Sequence, residues 1–204
     1  MADKDGGVDF VDPGIHGAKE KKHEPPHHHR DDRRADDHDE DVVADDKGDV
    51  VFPLFRRPLA DFHTGGRSFG SGRAGGRLHA AVDLLAPFKA PIRAIADGRV
   101  IQPPYFFYLG SNALEIDHGD IGVVRYGEIS QVKTVRVHTG QRVKKGEVIA
   151  YVGLLDTGSS MLHFELYKGN RSGALTVVSN PPYQRRSDLR NPTKLIERLL
   201  RKAF

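Results

Sequence analysis

From Val51 to Pro192 the apolar residues of this chain come in short runs, each cut off by glycine or proline within a few positions. A helix that buries a face needs about ten or more uninterrupted residues, whereas a strand needs only about five or six. The chain therefore reads as mainly β. Strands are expected over residues 78–83, 91–96, 99–102, 113–117, 123–129, 141–145, 148–152 and 162–168. Asp97-Gly98 and the segment around Gly119 have hairpin-type residues, and Gly146 separates another expected strand pair. Helical periodicity is confined to the end, where Asn191 is expected as N-cap, Pro192 as first helical residue and 193–202 as a short basic helix.

A chain of 204 residues with 38% hydrophobic content supports one good-sized core. Residues 1–50 add nothing to it. They lack periodic apolar residues and carry the runs His27-His28-His29 and Asp36-Asp37-His38-Asp39-Glu40-Asp41, so they are expected to be a disordered acidic, His-rich tail ahead of a 51–204 domain. The His run is either a solvated low-complexity patch or a metal-collecting one. Of the 31 Lys/Arg and 28 Asp/Glu, eight and sixteen fall in residues 1–50, leaving 23 and 12 beyond, a body of +11. Such a body suits a polyanion: nucleic acid, an anionic membrane face, or a cell wall with its carboxylates and phosphates. No nucleic-acid-binding motif accompanies the charge, so nucleic acid is not an expected partner. No stretch reaches the roughly 20 apolar residues of a membrane span, and the first thirty residues lack the apolar core of a Sec signal. Without cysteine, any metal must be held by His, Asp, Glu or water.

Leu78-His79-Ala80-Ala81-Val82-Asp83 and Met161-Leu162-His163-Phe164-Glu165 offer such ligands. His79 and Asp83 present an imidazole nitrogen and a carboxylate oxygen four residues apart, and His163 would add a second imidazole. Three protein ligands leave zinc a fourth position for chemistry, unlike a closed structural site.

These motifs extend into a colinear series. Ser68-Phe69-Gly70 precedes a Gly/Arg loop, and His79 to Asp83 forms H-x-x-x-D. Ala86-Pro87, Pro91-Ile92 and Ala96-Asp97-Gly98-Arg99-Val100 follow, then Asp117-His118-Gly119-Asp120, the run from Val143 to Gly153, and Leu162-His163-Phe164-Glu165. The stretch from about Phe52 to Pro192 resembles the LytM-type (lysostaphin-like, M23 family) zinc metallopeptidases of bacterial peptidoglycan. The resemblance implies a two-sheet antiparallel β core with a catalytic groove, and His79, Asp83 and His163 as ligands of a Zn2+ cofactor.

Two positions depart from the family's pattern. The histidine usual two residues before the last ligand is Met161, and the histidine of the usual Y-A-H segment is Glu128 in Tyr126-Gly127-Glu128. Methionine moves no proton and is left to shape the groove. Glu128 is the candidate catalytic base, since a carboxylate close to zinc takes that role in other metalloproteases. Met161, His163 and Glu165 alternate along one strand and should share a face, making Glu165 a groove residue or a partner of His163. His63 is a further groove candidate, whereas His118 is expected to be a structural hydrogen-bonder and His138 exposed. The Gly-rich segment 65–76 fits no phosphate-loop pattern and is expected to flank the groove. Tyr105-Phe106-Phe107-Tyr108 could line that groove, but such a run more often enters a core.

The function so implied is zinc-dependent hydrolysis of peptide bonds in peptidoglycan stems or cross-bridges. The alternative is a degenerate LytM-like domain that binds zinc and cell wall or activates a partner. Peptidoglycan is the expected partner, with a secretion machine or an inhibitor protein as further candidates. The expected place of action is periplasm or cell wall, reached by a route other than Sec.

Overall fold

The computed structural model describes residues 49–204. The expected tail and its His run lie outside the described residues apart from Asp49 and Val50. Nine strands and one helix follow in order: β1 (Val82–Leu85), β2 (Pro91–Arg93), β3 (Gly98–Tyr108), β4 (Ser111–Asp117), β5 (Val123–Ile129), β6 (Arg142–Val143), β7 (Val148–Tyr151), β8 (Met161–Tyr167), β9 (Leu189–Arg190) and α1 (Thr193–Ala203). Seven strands form one antiparallel sheet in the order β1-β8-β5-β4-β3-β6, with β9 also on β8, while β2 and β7 form a second, two-stranded sheet. The mainly β, two-sheet architecture with a C-terminal helix is thus the one expected.

One core serves both sheets and the helix. Leu84, Ile92, Ile95, Leu114, Ile116, Tyr126, Ile149, Leu162 and Phe164 are fully buried in it, and α1 contributes Leu195, Ile196 and Leu199. Arg201 and Lys202 in the last turn of α1 suit the negative end of its dipole. The helix starts one residue later than expected: Pro192 is its cap, and the Asn191 side chain accepts from the Thr193 N–H at 3.0 Å.

Three expectations about pairing are corrected. Asp97-Gly98 is not a hairpin turn but a crossing from β2, which pairs with β7, to β3, which pairs with β4 and β6. Gly98 is packed tightly there, and a Cβ on it would lie 2.6 Å from His118 Nδ1. The turn at Gly146 likewise carries the chain between sheets, from β6 to β7, instead of joining paired strands. Finally, the strand expected over 78–83 begins only at Val82, because Leu78 is engaged earlier by a bridge to Gly72 and by the Pro182 carbonyl. The turn at Gly119 does join the antiparallel pair β4 and β5.

Candidate metal centre

The ligand-type residues meet because β8 lies between β1 and β5. Asp83 on β1 stands directly opposite His163 on β8, which puts both side chains on one face across about eighty residues of sequence. His79 arrives from the loop before β1. Its N–H donates to Ser71 O and its carbonyl accepts from Gly70 N, both at 2.8 Å, so the Gly-rich segment fixes it at the sheet edge. All three side chains are buried.

Three donor atoms converge. His79 Nε2 lies 3.3 Å from His163 Nδ1 and 3.2 Å from Asp83 Oδ1, and His163 Nδ1 lies 2.9 Å from Asp83 Oδ1. A tetrahedral ion with bonds of roughly 2.0–2.2 Å needs donors about 3.3 Å apart, so this set fits zinc in both chemistry and spacing. The outer nitrogens agree. His79 Nδ1–H donates to Ser68 O at 3.0 Å, leaving Nε2 its lone pair, and His163 Nε2–H donates to Glu165 Oε1 at 2.9 Å, directing Nδ1 inward.

In the metal-free cluster a proton occupies that inner face. Burial favours neutral His163, but hydrogen bonds to Asp83 and Glu165 outweigh it and push the imidazole up to about 10. Burial likewise opposes the Asp83 charge, yet His163 and His79 hold its carboxyl at about 2. Zinc would therefore exchange with the His163 Nδ1 proton.

Glu165 is the hub beneath the centre. It is fully buried, and each of its oxygens takes two donors: Oε1 from His163 and from Arg185 Nε at 2.8 Å, Oε2 from Arg125 Nη1 at 3.0 Å and from the Tyr167 hydroxyl. Burial disfavours its charge, but Arg125, His163 and Arg185 hold it below the usual carboxylate range. Arg125, buried on β5 opposite Glu165, also donates to Glu115 Oε1 from Nε and Nη2. Sequence reading missed Arg125 and Arg185. The available signal was an arginine inside the apolar run Val123-Val124-Arg125-Tyr126, which a core tolerates only with paired charge.

Glu128 lines the same cleft as the three ligand residues. It follows Gly127, which faces His163 across the β5–β8 pair. Between the pairs Leu114↔Tyr126 and Asn112↔Ile129, β5 carries one residue more than β4, a bulge, and Glu128 sits in it with a left-handed φ of 58°. Bulges re-aim a side chain, and a non-glycine residue in that region is strained. A Cβ at Gly127 would lie 3.0 Å from Phe107 and 3.1 Å from the His163 ring, so both rings would have to give way to any larger residue. Glu128 Oε2 is buried without a hydrogen-bond partner among the described residues, and burial pushes the carboxyl up to about 7.

Met161 lines the cleft opposite Leu85. His63 does not. Its ring is held between Asp61 at 2.6 Å and Glu197 at 2.8 Å, an exposed arrangement tying the segment before the Gly-rich loop to α1, and this corrects its expectation as a groove residue. His118 is a buried hydrogen-bonder, between Asp97 O at 3.1 Å and the Tyr126 hydroxyl at 2.9 Å, and His138 is exposed. The aromatic run is not core. Tyr105, Phe106, Phe107 and Tyr108 all border the cleft, with Phe106 69% and Tyr108 50% exposed, because β3 continues past its expected end and lifts them onto the rim. The cleft has a volume of about 540 Å³, and Arg73 and Arg77 from the Gly-rich side complete its basic wall.

A cleft holding a His-Asp-His cluster beside an antiparallel sheet defines a candidate metal centre. Residues 77–174 match the model of Peptidase family M23, and over that stretch the chain is similar to that family. Among its relatives, glycyl-glycine endopeptidase ALE-1 of Staphylococcus capitis is 35% identical over 95 residues, 44% of this chain and 25% of that protein. Murein hydrolase activator NlpD of Escherichia coli (strain K12) is 33% identical over 112 residues, 54% of this chain and 28% of that protein. The chain thus spans about a quarter of the length of these relatives. The antimicrobial peptidase lysostaphin from Staphylococcus simulans shares the fold, with a TM-score of 0.53 and 20% identity over 74% of this chain and 56% of that one.

Proposed function

We propose that this protein is a zinc-dependent endopeptidase acting on peptide bonds of bacterial peptidoglycan, with His79, Asp83 and His163 holding the metal and Glu128 as the base. The observation that carries the reading is the pairing, in one cleft, of three donors at tetrahedral spacing with a buried carboxylate oxygen that no group among the described residues satisfies. Zinc, when bound, supplies Lewis-acid polarisation of the scissile carbonyl and of the attacking water. Glu128 takes the proton from that water and returns it to the departing amine nitrogen, so the peptide C–N bond is exchanged for a carboxylic acid and an amine. Burial raises that carboxyl to about 7 in the metal-free protein, and a dication bound beside it would favour the ionised form that accepts a proton. Glu165 keeps the His163 ring and tautomer fixed while Arg125 and Arg185 hold Glu165, so the ligand frame does not reorganise as charge moves. The +11 body suits an anionic wall, and among the described residues no helix is long and apolar enough to cross a membrane. We assign the site of action to the cell envelope because peptidoglycan is the proposed substrate.

A second reading is favoured by Met161, which stands where the family's usual pattern has a histidine, together with the similarity to a murein hydrolase activator. In it the domain binds zinc and wall but acts through a partner. Purified full-length protein incubated with peptidoglycan separates the two. Peptide cleavage by the zinc-loaded wild type, lost with chelator, in His79→Ala and in Glu128→Gln, supports the endopeptidase. Undiminished cleavage by Glu128→Gln would remove the base assignment, and no cleavage by the wild type would remove the enzyme.

A further inference from the structure

Three arginines line the cleft: Arg73, Arg77 and Arg185. Two are already committed. Arg185 places Nε and Nη2 on Glu165 Oε1, each at 2.8 Å, and Nη1 on Gln184 O. Arg73 is fastened within its own loop to Gly66 O at 2.6 Å, Ser71 Oγ at 2.9 Å and Gly72 O at 3.3 Å, with Asp83 at 3.7 Å. The half-buried Arg77 side chain makes no hydrogen bond or ion pair among the described residues.

Its position is nevertheless fixed. Arg77 has extended backbone (φ −72°, ψ 158°), its carbonyl accepts from Arg73 N at 2.8 Å, and the next residue is bridged to Gly72 and donates to Pro182 O. In extended chain, alternate residues share a side at about 6–7 Å, which puts Arg77 beside His79 along the cleft wall. A backbone so anchored, carrying a planar fork of donors with no acceptor among the described residues, is arranged to bind an anion. A carboxylate matches that fork with two parallel hydrogen bonds. Asp83 and Glu128, the acids lining the cleft, face the ligand cluster, and the Arg73 charge acts on both.

We propose that Arg77, with Arg73 behind it, forms a carboxylate-binding subsite, and that the preferred substrates are peptides with a free carboxylate next to the scissile bond. The proposal rests on the peptidase reading for its substrate class. The carboxylate belongs either to the peptide's C terminus or to an acidic side chain.

Four versions of one synthetic stem peptide distinguish these sources, combining a free or amidated C terminus with Glu or Gln beside the scissile bond. The zinc-loaded full-length protein is expected to prefer one acid form over its amide by about ten- to a hundredfold in kcat/KM, the range a charged hydrogen bond contributes. That preference should collapse in Arg77→Gln and be partly kept in Arg77→Lys, and the acid that carries it names the source. Equal cleavage of all four peptides, or a preference that survives Arg77→Gln, overturns the subsite while leaving the peptidase intact. If no peptide is cleaved the peptidase reading fails, and binding of the acid and amide forms to the metal-free full-length protein decides the subsite alone. Tighter binding of an acid form that Arg77→Gln abolishes supports it, and equal binding or none overturns it.

Discussion

Glu128→Gln is expected to stabilise the metal-free protein at alkaline pH and to lose that advantage at acid pH. Glu128 is 6% exposed, and burial raises its carboxyl from 4.5 to about 7. Below about pH 4.5 the group is protonated in both folded and unfolded chains, and its titration costs nothing. Between about pH 4.5 and 7 the unfolded chain loses the proton while the folded one keeps it, so stability falls as pH rises; above about 7 the loss is complete. The displacement corresponds to about 3 kcal/mol. Glutamine has no such titration. Its amide leaves a buried polar atom in the same place, which adds an offset independent of pH, and groups common to both proteins cancel in the difference. Unfolding of both metal-free proteins, followed by denaturant or heat from about pH 4 to 8, should show the stability of Glu128→Gln relative to wild type growing by about 3 kcal/mol. In melting temperature this is on the order of 6–12 °C. Saturating zinc should flatten the trend, because a nearby dication favours the carboxylate. A difference that does not vary with pH would refute the claim that Glu128 is held as a buried, unpartnered acid.

Other outcomes follow from the same geometry. Since the metal-free His163 is pushed up to about 10, zinc loading at neutral pH should release about one proton, and apparent affinity should rise about tenfold per pH unit below that value. Calorimetry in buffers of different ionisation enthalpy measures the release, and none would contradict a proton on Nδ1. Glu165→Gln, which weakens the hold on His163, should lower zinc affinity by about ten- to a hundredfold in competition with a chelator of known affinity. Arg125→Met takes from buried Glu165 one of its two arginine partners and from Glu115 its only one among the described residues, and should cost about 3–5 kcal/mol in denaturant unfolding. Gly153→Ala would put a Cβ 2.6 Å from the Glu128 carbonyl oxygen, and the forced shift should destabilise the protein by about 1–3 kcal/mol, read in the same assay.

Strand positions were legible because Gly and Pro punctuate them, and β5 runs from Val123 to Ile129 as expected. Pairing was less so. Gly146 looks the same in sequence whether the chain turns back on its neighbour or passes to another sheet, and here it passes from β6 to β7. The convergence of His79, Asp83 and His163 was implied by the resemblance that their motifs carry, but what holds them was not legible. The apolar run around Arg125 signals a buried, paired arginine, but that its partners are Glu115 and Glu165 is a fact of register that no local pattern encodes. The same limit applies to Tyr105–Phe106–Phe107–Tyr108, whose composition suits a core strand equally well. Their exposure follows from the hairpin to β4 at the cleft rim.

The central claim is hydrolysis of a peptide bond by the zinc-loaded protein, and digestion of purified peptidoglycan in heavy-oxygen water, read by mass spectrometry, tests it most directly. The account predicts a new amino terminus paired with a labelled carboxylate, both abolished by chelator and restored by zinc. Intact peptide stems and cross-bridges after incubation with the zinc-loaded full-length protein would contradict it.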